Sequence, residues 1–311
     1  MTGGVRSTFL KILVLGSAAG GGFPQWNCNC GNCAGLRRGT IAASARTQSS
    51  IALSENGQDW LLVNASPDIL VQLRANPALQ PARAVRDSGI CAVLLMDAQI
   101  DHVTGLLMLR ERTAPLPLYA TAQVFGDLSD GLPLLRVLGA YCGVERHVLG
   151  EGAVTLAPLA ETLLAVVALV SKAPPYSPHR EAPRPGDNIG LVILNRTNGR
   201  RAFYAPGLGV PTDDVARVMG ASDVLLVDGT FWSEDEMIVQ GLSAKTAAMM
   251  GHLPQSGPGG MIELLDRMPA ARKILIHINN SNPILREDAP QRALLARHGI
   301  EVAWDGMEID L

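Results

Sequence analysis

Three cysteines crowd into Cys28-Asn29-Cys30-Gly31-Asn32-Cys33, directly after the glycine turn Gly20-Gly21-Gly22 and Trp26. Thiols this close in sequence are poor disulfide partners for one another, whereas their thiolates are soft ligands suited to tetrahedral zinc. The run predicts a structural Zn2+ held by Cys28, Cys30 and Cys33, with a fourth ligand supplied from elsewhere in the chain. Three merely buried thiols would sit poorly among so many polar neighbours. A second constellation, Asp97-Ala98-Gln99-Ile100-Asp101-His102, follows an apolar run, and its Asp101 and His102 offer a hard oxygen and an imidazole. Asp101 alone could cap a helix over Val103–Arg110, but that leaves His102 and Asp97 unexplained. Asp228-Gly229-Thr230 and His277 close two further apolar runs. Three strand ends that each finish in a metal-capable side chain point to a cleft with chemistry, because burying carboxylate or imidazole is costly unless compensated.

The remaining histidines divide by surroundings. His252, in Gly251-His252-Leu253-Pro254, reads as a general acid or a substrate contact. His179, after a proline-rich loop, reads either as a cleft residue or as an exposed loop residue. His147 and His298 read as ordinary surface or helix-end positions.

These residues need elements to hold them. The patterning predicts strands over 10–15, 49–53, 60–64, 92–96, 116–120, 163–171, 190–195, 201–205, 224–228 and 273–278. Polar turns at Glu55-Asn56-Gly57-Gln58 and Asn198-Gly199 join two of the pairs. Helices are predicted over 67–75, with Ser66 as N-cap, and over 122–126, 132–138, 213–219, 260–268 and 290–298. Hairpins within an alternation of helix and strand indicate an α/β fold with mixed sheets. Without repeat or linker, one domain over 1–311 is the economical reading.

Composition narrows the function. A chain of 311 residues with 47% hydrophobic and 18% charged residues can bury a large core, and its 4% aromatics leave that core to aliphatic side chains. The net charge of −3 and scattered arginines, paired only at Arg37–Arg38 and Arg200–Arg201, lack the basic footprint of a nucleic-acid binder. Cys91 and Cys142 lie in apolar stretches and read as buried free thiols, a pattern that favours a reducing cytoplasm. The run Ile12–Ala19 resembles a short secretory signal, but a buried first strand entering the glycine turn explains the same residues. No stretch approaches the ~18 apolar residues of a membrane span, so a soluble protein is expected.

The run Gly16-Ser17-Ala18-Ala19-Gly20-Gly21-Gly22-Phe23-Pro24-Gln25-Trp26-Asn27-Cys28-Asn29-Cys30 closely resembles the opening of the B-protein family of pyrroloquinoline quinone (PQQ) biosynthesis. Asn64-Ala65-Ser66-Pro67-Asp68, Tyr176-Ser177-Pro178-His179-Arg180, Tyr204-Ala205-Pro206-Gly207, Val227-Asp228-Gly229-Thr230-Phe231-Trp232 and Met250-Gly251-His252-Leu253-Pro254 extend the resemblance across essentially the whole chain. It implies the metallo-β-lactamase fold, a four-layer αββα sandwich of two mixed sheets with a metal cleft at one edge. Related cyclic-phosphate phosphodiesterases place a histidine as fourth zinc ligand where this chain has Asn280. Hydrolases of the superfamily carry His-x-His-x-Asp-His, and here the first two positions are Asp97 and Gln99. The bridging aspartate is also missing, since Tyr204-Ala205-Pro206-Gly207 stands at its place. The resemblance therefore implies one metal site of Asp101, His102 and His277, with Asp228 beside it, instead of a two-metal hydrolytic clamp. Two histidines, one carboxylate and open positions suit Fe2+ and oxygen activation, although Zn2+ is accepted by the same ligands. The implied activity is hydroxylation of the tyrosine-derived ring of a Glu–Tyr precursor, with His252 and Asp228 in catalysis, and His179 and Arg180 contacting substrate. An older view makes the family a carrier of PQQ or its precursor toward the periplasm. Other PQQ biosynthesis proteins, or a second copy of the chain, are the implied macromolecular partners.

Overall fold

Ile12, Leu13, Val14 and Leu15 are all buried, yet they enter two different cores. Successive strand residues point to opposite faces. Ile12 and Val14 thus join a cluster between two sheets, while Leu13 and Leu15 pack beneath helices. The same parity separates Val224 and Leu226 from Leu225 and Val227. Strands covered on both faces are what unbroken apolar runs encode. The layers stack as helix, sheet, sheet, helix, the order anticipated above.

The computed structural model describes residues 10–150, 152–268 and 272–311. Six strands of the first sheet come early: β1 (Lys11–Gly16), β2 (Ser50–Ser54), β3 (Trp60–Val63), β4 (Ile90–Leu94), β5 (Leu116–Ala120) and β6 (Val144–Val148). The second sheet follows with β7 (Ala153–Leu156), β8 (Leu159–Ala168), β9 (Ile189–Asn195), β10 (Arg201–Ala205), β11 (Val224–Asp228), β12 (Arg272–Ile276) and β13 (Ile300–Val302). The last strand, β14 (Glu308–Asp310), returns to pair with β1. The orders are β14-β1-β2-β3-β4-β5-β6 and β13-β12-β11-β10-β9-β8-β7. Antiparallel pairing runs from β14 to β3 and from β7 to β10; parallel pairing takes over from β3 to β6 and from β10 to β13. The two sheets share one plan even though the sequence carries no repeat period.

Several boundaries differ from expectation for local reasons. The helix expected from Pro67 begins at Ile69 with Asp68 in the cap position, because Ser66 Oγ accepts the Asp68 amide (3.2 Å) and holds a turn there. The helix expected over Val103–Arg110 is instead a short α-helix, Ile100–Val103, followed by a 3-10 stretch, Thr104–Leu109. Gly105 packs there so tightly that a Cβ would come within 2.1 Å of the Ser66 carbonyl. Gln99 holds the cap position, and Asp101 lies inside the first turn, not at the cap. Cys91 and Cys142 are free, as expected, but only half-buried, which corrects their reading as buried thiols. Strand β6 was missed because its residues are mostly exposed and include Glu145, Arg146 and His147.

Beyond Gly16 the chain leaves β1 and bridges the sheets. Ala18 pairs with both Gln48 and Ile278, and the Ile278 amide donates to the Ser17 carbonyl (2.9 Å). The glycine turn is thereby fixed against the edge at which β4, β11 and β12 end. Among the described residues, no helix is long and apolar enough to cross a membrane.

Candidate metal centre

Asp97 lies in the connection after β4, and His102 in the short helix that follows it. The His102 Nδ1–H is held by both Asp97 carboxylate oxygens, at 2.8 and 2.9 Å. That bond fixes the tautomer and turns Nε2 inward. His102 is buried, and its Nε2 has no hydrogen-bond partner. An orphaned buried ring nitrogen is costly in a dry interior, and what it faces is informative: Asp101 Oδ2 lies 3.7 Å away.

His277 reaches the same point from β12. The strand stops at Ile276, and His277 itself adopts φ 62°, a left-handed conformation uncommon for a residue with a side chain. Thr230 secures it: its Oγ1 donates to the His277 carbonyl (2.9 Å) and accepts Nδ1–H (2.9 Å), leaving Nε2 free. That nitrogen lies 3.4 Å from Asp101 Oδ2, and the His102 and His277 ring centroids are 5.4 Å apart. Donors ~2.1 Å from an ion stand about 3.0 Å apart at right angles and about 3.4 Å apart at the tetrahedral angle. Asp101, His102 and His277 therefore fit a divalent metal, and the orphaned Nε2 is explained by one. Gly20 lies directly against this carboxylate, since a Cβ there would sit 3.2 Å from Asp101 Oδ2.

The electrostatics agree with that fit. Burial opposes ionisation of both members of the Asp101–His102 pair, but mutual attraction outweighs it. The charges of His102 and His277 hold the Asp101 carboxyl well below the usual carboxylate range, and Asp97, then Asp101, push His102 up to about 9. A cation bound between these groups would take the place of the proton that the two carboxylates favour on His102.

Asp228, His252 and His277 also converge, but differently. Asp228 Oδ2 and His252 Nδ1 are 2.5 Å apart, too close for two donors on one ion and right for a strong charge-assisted hydrogen bond. Despite burial, the Asp228 charge raises the His252 pKa. Asp228 is fully buried, whereas the His252 side chain keeps 17% of its surface exposed and stacks 5.4 Å from the His277 ring. The pair is an oriented imidazole beside the metal ligands, with Nε2 directed away from its anchor. Gly229 makes the turn possible: a Cβ would meet Leu275 Cβ at 2.9 Å and the Ile276 carbonyl at 3.0 Å.

The cysteine loop gathers Cys28, Cys30 and Cys33 so that their sulfurs lie within 4.8 Å of one another. Cys30 stands just before the helix Gly31–Arg38, which contributes Cys33. Asn280 Nδ2 lies 3.0, 3.7 and 3.3 Å from the three sulfurs, at the fourth corner. An amide turned end for end presents its carbonyl oxygen to the same point, so the donor set fits Zn2+ with Asn280 as fourth ligand. Burial, reinforced by the neighbouring thiols against hydrogen bonds from Gln25 and Asn280, pushes the Cys33 thiol up to about 11. A bound cation removes that penalty.

His179 is in none of the metal-capable groups, and Arg180 turns away from them. The His179 amide donates to Ser177 Oγ (3.1 Å), and the Arg180 guanidinium turns back to the Ala173 carbonyl. The cavity adjoining His252 is lined instead by Lys172 and Arg184. Sequence reasoning also missed the parts played by Asp97 and Thr230. Asp97 stood out as unexplained by a helix cap and as a departure from a metal motif, but not as a partner of His102, and nothing local to Thr230 reveals that it braces His277.

Residues 59–278 match the β-lactamase superfamily domain. Coenzyme PQQ synthesis protein B of Cupriavidus necator is 66% identical over 303 residues, 97% of this chain and 99% of that protein. Its namesake from Azoarcus sp. strain BH72 is 60% identical over 304 residues, 97% of this chain and 100% of the relative. The crystal structure of Zn2+-bound PqqB from Methylobacterium extorquens superposes with a TM-score of 0.88 at 37% identity, covering 97% of this chain and 100% of that one. A diphosphatase of the PhnP family shares the fold, with a TM-score of 0.69 at 18% identity over 97% of each chain.

Proposed function

The chain belongs to the coenzyme PQQ synthesis protein B family of the β-lactamase superfamily, and from that premise we propose that it is a metal-dependent enzyme of PQQ biosynthesis that hydroxylates the tyrosine-derived ring of a Glu–Tyr precursor. The observation that carries this reading is the buried, unpartnered His102 Nε2 facing Asp101 and His277. Two imidazoles and one carboxylate with open positions suit Fe2+, which when bound supplies activation of O2. In the overall change a ring C–H becomes C–OH. One oxygen atom of O2 enters the ring, and the other leaves as water with electrons and protons from an added reductant.

The chain's own residues do the rest. Asp97 orients His102, and Thr230 orients His277. His252, anchored at Nδ1 by Asp228, offers Nε2 to carry a proton to or from the phenolic oxygen as the ring is oxidised. The Asp97 carboxylate also bears on the two superfamily histidines this chain lacks. It grips an imidazole at a position where a hydrolase would ligate a second ion, which favours one working metal over a decayed two-metal site.

The test is single-turnover chemistry. Protein loaded with Fe2+ without air, mixed with precursor and then exposed to O2 and reductant, should add one oxygen atom to the precursor, detected by mass. His102→Ala should abolish the addition. Tight product binding without turnover would replace this reading with a carrier, and zinc-dependent phosphodiester cleavage would replace it with a hydrolase.

A further inference from the structure

Beside His252 the structure opens into a cavity of about 390 Å³. One wall is apolar, formed by Leu169, Val170 and Val210; Val170 and Val210 pair across it while remaining 56% and 48% exposed. Exposed aliphatic side chains held in a fixed bridge form a platform that nothing in the described residues covers. The rim carries two cations, Lys172 and Arg184. Neither side chain has a hydrogen bond or ion pair with any described residue, so both charges remain available.

Both are nevertheless held in place by their backbones. The Lys172 carbonyl accepts from Gln99 (3.4 Å) and Asn188 (3.2 Å), and neighbouring Ser171 Oγ donates to the Gly251 carbonyl (3.2 Å). That wall is therefore tied to Gln99, the cap residue of the helix bearing Asp101, and to the residue before His252. Arg184 lies between Pro183 and Pro185. Its amide donates to Asp187 Oδ2 (2.6 Å), and its carbonyl accepts the Asp187 amide (3.1 Å). Two prolines and two hydrogen bonds fix the main chain, leaving only the guanidinium arm to move.

We propose that Lys172 and Arg184 recognise the carboxylates of an aromatic polycarboxylate whose ring rests on the Val170–Val210 platform and whose reacting edge meets His252. This rests on the PQQ-precursor reading and names how that substrate class is held. A guanidinium matches a carboxylate with two parallel hydrogen bonds, and a lysine adds a point charge. The site thereby selects for carboxylates and against an uncharged phenol of the same shape.

Binding is to be measured by calorimetry with PQQ, its trimethyl ester, and benzene-1,3,5-tricarboxylate. The proteins are wild type, Lys172→Met, Arg184→Gln, the double variant, and Arg38→Gln as a remote exposed control. Thermal melts of every variant should coincide with wild type, since both rim side chains lack structural partners among the described residues. Affinity for the two carboxylate probes should fall about tenfold in each rim variant and about a hundredfold in the double variant. Arg38→Gln should change nothing, and the ester should bind weakly and equally to all. Carboxylate-probe binding that is unchanged in the double variant would overturn the rim. So would a failure of wild type to bind either carboxylate probe. Rim-dependent binding of the benzene tricarboxylate without any PQQ binding would uphold the rim and sink the PQQ-precursor reading instead.

Discussion

A carboxylate that binds the far nitrogen of a metal-ligating imidazole does two jobs: it fixes the tautomer and it makes the near nitrogen a better donor. Asp97 holds Nδ1 of His102, a candidate ligand, in that way, with both oxygens engaged. Asp97→Asn keeps the shape but removes the charge, and should weaken metal retention roughly 10- to 100-fold, read by competition with a chelator. His252→Gln should leave metal content intact while lowering turnover roughly a hundredfold or more. A residue of a different kind is Glu236, buried between the Trp232 amide (2.6 Å) and Ser281 Oγ. Burial, only partly countered by the Ser281 hydrogen bond, raises its pKa from 4.5 to about 7. A carboxyl raised on folding binds more protons in the native state, so its contribution is complete below about pH 4.5 and is lost as pH rises through about 7. Glu236→Gln should therefore flatten the fall in stability across that interval, a difference of roughly 3 kcal/mol in denaturant titrations run at its two ends.

At the level of elements, the site is a set of strand ends whose turns are sterically exacting. Gly229 is the clearest case. Gly229→Ala should cost roughly 1–3 kcal/mol in unfolding free energy and loosen the metal, because Thr230 must move with the turn. Gly126→Ala is the matched control: a Cβ there meets nothing within 4 Å, so stability should hold or rise. The same elements show where sequence patterning succeeds. The hairpin joining β9 to β10 and the central strand β11 were legible because apolar runs bounded by turns have few alternatives. Strands β6, β13 and β14 were not legible. They are short or exposed at sheet edges, and register with a neighbour, not their own side chains, makes them strands.

Across the whole molecule, the cysteine cluster and the metal cleft share one segment. His277 and Asn280 lie in the same run after β12, and Asn282 accepts Asn32 Nδ2 through its carbonyl (2.9 Å). Cys30→Ser should remove one zinc equivalent by elemental analysis, lower the melting temperature, and weaken metal retention in the cleft without abolishing it. Unchanged metal content would show that the cysteines hold no ion. The sequence by itself determined the apolar parity of the strands, and with it the sheets buried on both faces, as well as the metal-capable identity of Asp101, His102, His277 and the three cysteines. These are local properties, carried by residue type and spacing. Only the tertiary structure decided that Asp97 serves His102, that Thr230 braces His277, that Asn280 fills the fourth corner of the thiols, and that Lys172 and Arg184, not His179 and Arg180, border the cavity at His252. Each of those is a meeting of segments distant in the chain or a choice of side-chain direction, and both are fixed by packing that no local pattern encodes.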